Sequence, residues 1–168
     1  LIEYNKERLI LVGFDPSIQY VDEDKLLKED KHVAIQTDIE QWGYAVNGMM
    51  ATYTKEYKDM NETYPTEMEF NLKDKQIIIR TDTPLKTNRT VPIKSVKKNT
   101  QKLEKMDLRC AGPLLKMVMD NSKDGGSLDF FLTAHNKPIF VRHQGKVNQT
   151  TGITESFTIF FATLGKTN

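Results

Sequence analysis

One order of secondary-structure signals is written twice in this chain, and that repetition restricts its fold more than any composition figure does. His32-Val-Ala-Ile-Gln-Thr37 alternates Val33 and Ile35 on one side, as a strand does. Asp38 follows as an N-cap, and Ile39, Trp42, Val46, Met49, Met50 and Tyr53 then recur at spacings of three and four, which predicts an amphipathic helix over 39–55. Gly43 and Gly48 weaken that helix by about 1 kcal/mol each relative to alanine, so packing has to hold it, and they allow close approach to a sheet. Met68, Phe70 and Leu72 alternate with polar residues, Lys73-Asp74-Lys75 turns the chain, and Gln76-Ile-Ile-Ile-Arg80 returns it as a hairpin arm. Arg89 to Val96 is again extended, and Pro92, which lacks a ladder donor, predicts that it lies at a sheet edge.

The order then restarts. Leu103, Met106, Leu108 and Cys110 mark a strand; Pro113 opens a helix through Leu114-Leu-Lys-Met-Val-Met-Asp120, and Gly125-Gly126 closes it off. Ser127 to Thr133 and Pro138 to His143 alternate as strands, Gln144 to Thr154 reads as a loop, and Glu155 to Thr163 is the last strand. The unit strand, helix, three strands thus spans 32–97 and again 103–163, with no residue-level repeat behind it. Two helices and about eight strands predict an α+β fold in which antiparallel sheets join into one layer and both helices pack on the same side.

Upstream, Arg8 to Phe14 reads as a strand stopped by Asp15-Pro16-Ser17, and 15–31 as a charged connector pinned by Ile18, Tyr20 and Val21. The expected organisation is the end of a preceding domain over 1–14, a connector over 15–31 and one domain over 32–168. The chain opens at Leu1 inside strand-like sequence, which predicts that it is part of a longer protein. Residues 1–31 carry five basic and eight acidic side chains, net −3, while the whole chain is +1. That overall charge supplies no field able to hold a polyanion by counterion release alone.

Catalytic chemistry finds little support. Cys110 sits in an alternating apolar strand, where a cysteine behaves as a small hydrophobe. His32, His135 and His143 are scattered, with no third ligand at zinc spacing. No GxGxxG or GxxxxGK[ST] occurs, and Glu67 and Glu69 alternate onto the polar, solvated side of a strand. A hydrolase using Cys110 or a histidine therefore ranks below a free-standing α+β interaction module.

With both helices on one face, Lys55, Lys58, Lys116 and Lys123 fall on or just beyond them and can make non-specific phosphate contacts; ordinary solvated helix faces explain them equally well. Lys94, Lys97 and Lys98 form a second basic group beside the Pro92 strand, as charges guarding an exposed edge do. Trp42 is either core packing or a partner-facing aromatic. The groove beside Ile18, Tyr20 and Val21 is a place for a peptide to dock.

Three segments carry a resemblance: Asp107-Leu-Arg-Cys-Ala-Gly-Pro-Leu-Leu-Lys-Met-Val-Met119, Gly126-Ser-Leu-Asp-Phe-Phe-Leu-Thr-Ala-His-Asn-Lys-Pro-Ile-Phe140 and Ser156-Phe-Thr-Ile-Phe-Phe-Ala-Thr-Leu164. Together they resemble the carboxy-terminal half of the Rad-nine type subunit of the nine-one-one DNA-damage checkpoint clamp, a family of sliding clamps. The likeness is best over 103–164 and looser over 32–98; the Gln144 to Thr154 insertion is longer than the family's hairpin.

The resemblance implies a sliding-clamp half-subunit with no enzymatic activity and no cofactor or metal, acting in the nucleus. Its implied partners are two other clamp subunits in a heterotrimeric ring, a clamp loader, encircled double-stranded DNA, and checkpoint kinase activators and repair proteins. It assigns the DNA-facing role to Lys55, Lys58, Lys116 and Lys123, and the subunit interface to Arg89, Val91, Ile93 and Lys94. Partner binding falls to Ile18, Tyr20, Val21 and Trp42.

Overall fold

The computed structural model describes residues 2–4, 9–11, 33–54, 65–81, 83, 85–100, 102–122, 125–132, 139–147, 149–150, 152 and 154–161. Two short strands, β1 (Ile2–Tyr4) and β2 (Leu9–Leu11), pair with each other as an antiparallel ladder. The remaining strands form one eight-stranded sheet. In chain order these are β3 (Val33–Asp38), β4 (Pro65–Asn71), β5 (Gln76–Thr81), β6 (Thr87–Asn99), β7 (Lys105–Ala111), β8 (Ser127–Leu132), β9 (Ile139–Val147) and β10 (Thr154–Phe161). Helix α1 (Ile39–Met50) follows β3, and α2 (Gly112–Asp120) follows β7.

The doubled unit is present, and its halves interlock. The sheet order is β10-β9-β8-β3-β6-β5-β4-β7, all described pairings being antiparallel. The first strand of each unit therefore joins the last three of the other: β3 lies beside β8, and β7 beside β4.

Alternation assigns the faces. Met68 and Phe70, Ile77 and Ile79, Val91 and Ile93, Met106 and Leu108, and Leu128 and Phe130 all point into one core beneath the helices. Trp42, Val46 and Met49 of α1 and Leu115 and Val118 of α2 close that core from above. The two helices pack side by side: Trp42 Nε1 donates to the Leu115 carbonyl at 3.4 Å, and the Trp42 ring lies 5.0 Å from Phe130. Both helices thus occupy the same side of the sheet.

Local chemistry sets the boundaries. Asp38 caps α1, its Oδ1 accepting from Glu40 N at 2.8 Å. The helix ends at Met50, short of the expected residue 55, because Thr52 turns back to the Met49 carbonyl through both its N–H and its hydroxyl. Tyr53 is still buried, bonded to the Thr66 hydroxyl at 2.7 Å, so its helical spacing reflects a post-helix contact with the same core. In the β4–β5 turn, Asn71 Oδ1 accepts from Asp74 N and Lys75 takes φ 52°. The expected Gln144 to Thr154 loop is shorter than its sequence suggests, since β9 runs on to Val147.

Candidate functional site

Two surfaces follow from this architecture: the helix-bearing face and the margins of the sheet that no other described strand pairs with. On the first, α1 exposes Glu40, Gln41, Tyr44 and Asn47, and α2 exposes Pro113, Met117 and Asp120. Helix α1 contains no basic residue, and α2 contains only Lys116, whose Nζ pairs with Asp120 Oδ2 at 2.6 Å one turn on. Of the four lysines expected to face DNA, Lys116 is thus on the helix face and neutralised by a neighbour, while Lys55, Lys58 and Lys123 lie outside the described residues. Ile18, Tyr20 and Val21 also lie outside them.

Of the two readings of Trp42, core packing holds and the partner-binding role is corrected: the ring is fully buried between the helices and Phe130, so it presents nothing to a partner. Indole is the largest apolar side chain available to fill the space under the two packed helices, and its one polar atom is satisfied internally.

The sheet margins are also corrected. Strand β6 is interior to the sheet order, paired with β5 along Thr87–Pro92 and with β3 along Ile93–Asn99. Val91 and Ile93 are buried core residues; Arg89 and Lys94 are exposed, and Arg89 lies across Gly48 of α1. Pro92 misled because its position costs no ladder bond. Ile93 N donates to the Lys75 carbonyl at 2.8 Å, which sets the alternation so that Pro92 turns its nitrogen away from β5, and its carbonyl accepts from Thr37 Oγ1 at 2.7 Å. The outermost strands are β10 and β7.

The margin of β7 can be read atom by atom. Leu72 N donates to the Glu104 carbonyl at 2.8 Å, continuing the β4–β7 register. By that alternation, Met106, Leu108 and Cys110 turn their backbone groups toward β4, whereas Lys105, Asp107 and Arg109 turn theirs to the open rim.

On the face away from the helices, Glu69 departs from its expected solvated setting. It is 4% exposed and accepts from Arg80 Nη2 while pairing with Lys105 Nζ at 3.0 Å. The Arg80 hydrogen bond, and after it the Lys105 contact, hold its carboxyl below the usual range despite the opposing effect of burial. The alternating pattern placed it on the polar side; only the cross-strand neighbours cover it. Lys97, expected as edge protection, instead clamps the buried Asp129 with Nζ 2.7 Å from Oδ2.

For reaction chemistry, burial pushes the Cys110 thiol up to about 12. Among the described residues no three His, Cys, Asp or Glu side chains converge on a metal-sized site, and no helix is long and apolar enough to cross a membrane.

A doubled strand-helix-three-strand unit with an eight-stranded antiparallel sheet and two helices on one face defines the sliding-clamp fold. Among solved structures, the chain is similar to the beta subunit from DNA polymerase of Streptococcus pyogenes, with a TM-score of 0.57 and 13% identity over 90% of this chain. The match covers 36% of that subunit, so the chain spans about a third of its length. No protein-family model and no curated protein sequence matches the chain.

Proposed function

We propose that this chain is a non-enzymatic part of a clamp that closes into a ring around duplex DNA. The observation that carries the reading is the pairing of two adjacent helices on one face with a sheet whose end strands, β10 and β7, each have an outer margin that no other described strand pairs with, in a fold shared with a DNA polymerase beta subunit. Encirclement explains why the helices need so little positive charge: a closed ring is retained by topology, so weak contacts suffice and base readout is unnecessary. The finer reading, a Rad-nine type subunit of a nuclear heterotrimeric checkpoint clamp that recruits kinase activators and repair proteins, is supported by the 103–164 segments quoted above.

The test is assembly and topology. The complete protein mixed with two companion clamp subunits is expected to run at the mass of a 1:1:1 trimer, and, once loaded, to stay on nicked circular DNA and leave when the circle is linearised. A single-chain mass in every mixture, or retention indifferent to linearisation, refutes the ring and leaves a free-standing interaction module. Asp107→Pro removes a rim N–H from β7 without touching the β4 ladder; undiminished assembly of that variant excludes the β7 margin as the joint.

A further inference from the structure

The helix-bearing side holds a cation that neither helix supplies. Arg89 of β6 stands opposite Ile79, a core residue, so strand alternation turns its side chain to the same side of the sheet as α1 and α2. There its guanidinium rests against Gly48 in the last turn of α1: a Cβ at Gly48 would lie 2.8 Å from Nε, 2.9 Å from Cζ and 3.1 Å from Nη2. The missing Cβ opens that seat. The carbonyl end of α1, whose last turn holds no basic residue of its own, attracts the charge to it.

No described residue neutralises this cation. Arg89 is exposed and forms no ion pair or hydrogen bond among the described residues. Glu40, the one carboxylate of α1, precedes Gly48 by two turns, about 12 Å along the axis. Asp120 of α2 is engaged by Lys116 at 2.6 Å. Tyr44, 76% exposed, shares a strip of α1 with Gly48 one turn earlier, and Asn47 is exposed next to Gly48, so a phenol and a carboxamide accompany the guanidinium.

We propose that Arg89 is a phosphate contact of the helix-bearing side, its guanidinium meeting the backbone of duplex DNA beside the end of α1. This rests on the ring reading, with the helices turned to the duplex. The planar fork suits a phosphate diester, and the Tyr44 hydroxyl and Asn47 amide add neutral donors beside it. A single charge-assisted contact reads no sequence and holds weakly, which lets a closed ring move along the duplex. The charge that α1 and α2 lack is thus carried by a strand.

The test is equilibrium binding of the assembled 1:1:1 ring to short fluorescein-labelled duplexes of two unrelated sequences, read by anisotropy from 50 to 200 mM salt. Arg89→Gln should lower the slope of log affinity against log salt by about 0.9, so that the advantage of the unmodified ring shrinks about 3.5-fold across that range, equally on both sequences. Arg89→Lys, which keeps the charge, should keep the slope. Thermal denaturation and co-elution with the companion subunits check that each variant folds and assembles. An unchanged slope in the assembled Arg89→Gln ring, or a loss confined to one sequence, overturns the proposal and leaves the ring standing. Failure of folded Arg89→Gln to co-elute also overturns it, because Arg89 would then serve a joint between subunits. Retention of the unmodified ring that is indifferent to linearisation of a nicked circle refutes encirclement, and this contact with it.

Discussion

Replacing the two glycines of α1 by alanine asks whether they are there for contact or merely tolerated. In a helix interior the change is worth about 1 kcal/mol in favour of alanine. A Cβ at Gly43 would lie 3.7 Å from Met119 Cγ and 3.9 Å from its Sδ, ordinary van der Waals contact, so Gly43→Ala should keep the full gain. A Cβ at Gly48 would come within 2.8 Å of Arg89 Nε and 2.9 Å of its Cζ, so the guanidinium must move. Arg89 is exposed and its side chain flexible, which limits that cost to a few tenths of a kcal/mol and leaves Gly48→Ala a gain of about 0.5 kcal/mol. For a chain of this length 1 kcal/mol raises Tm by about 2–4 °C. Urea and thermal unfolding followed by circular dichroism measure both variants, and repeating Gly48→Ala in an Arg89→Ala background should restore its full gain, as a double-mutant cycle resolves. Destabilisation by Gly43→Ala would refute the reasoning, because it would mean the helices press together more closely than the Met119 distance allows.

Two further outcomes follow from the titrating groups. Glu69 has a lowered pKa in the folded chain, so its ion pairs stabilise the fold above its ordinary value of 4.5 and that stability drains away as pH falls through the lower folded value. Glu69→Gln should therefore lower stability at pH 7 and flatten the loss on acidification below pH 4.5; urea midpoints from pH 7 to pH 3 with an unchanged slope would contradict this. Cys110, with its thiol near 12, should resist iodoacetamide at pH 8 in the native protein and react once urea unfolds it, whereas rapid native labelling would show the strand to be open.

Element order was legible because periodicity is a local property of the chain. The 2-residue alternation of Met68-Phe70 and Ile77-Ile79, and the helical spacing from Ile39 to Met49, report burial on one face whatever the partners are. Proline at 92 was misread for the converse reason: it states that one N–H is missing, and only the alternation set by Ile93 and Lys75 says on which flank. Glu67 and Glu69 looked equivalent two residues apart, yet Glu67 is exposed and Glu69 is covered by Arg80 and Lys105.

By itself, then, the run of residues determined a doubled α+β unit, its turns, and the side of each strand that must leave water. Tertiary structure alone decided that β3 and β7 trade places between the halves, that Trp42 is enclosed, and that Arg109, Glu67, Arg80 and Asn88 align in one row. Burial of an apolar face is satisfied by any partner of suitable shape, so it carries no address; strand order and register are chosen by which pairing closes the shared core, and charged side chains far apart in the chain meet as a consequence of that choice.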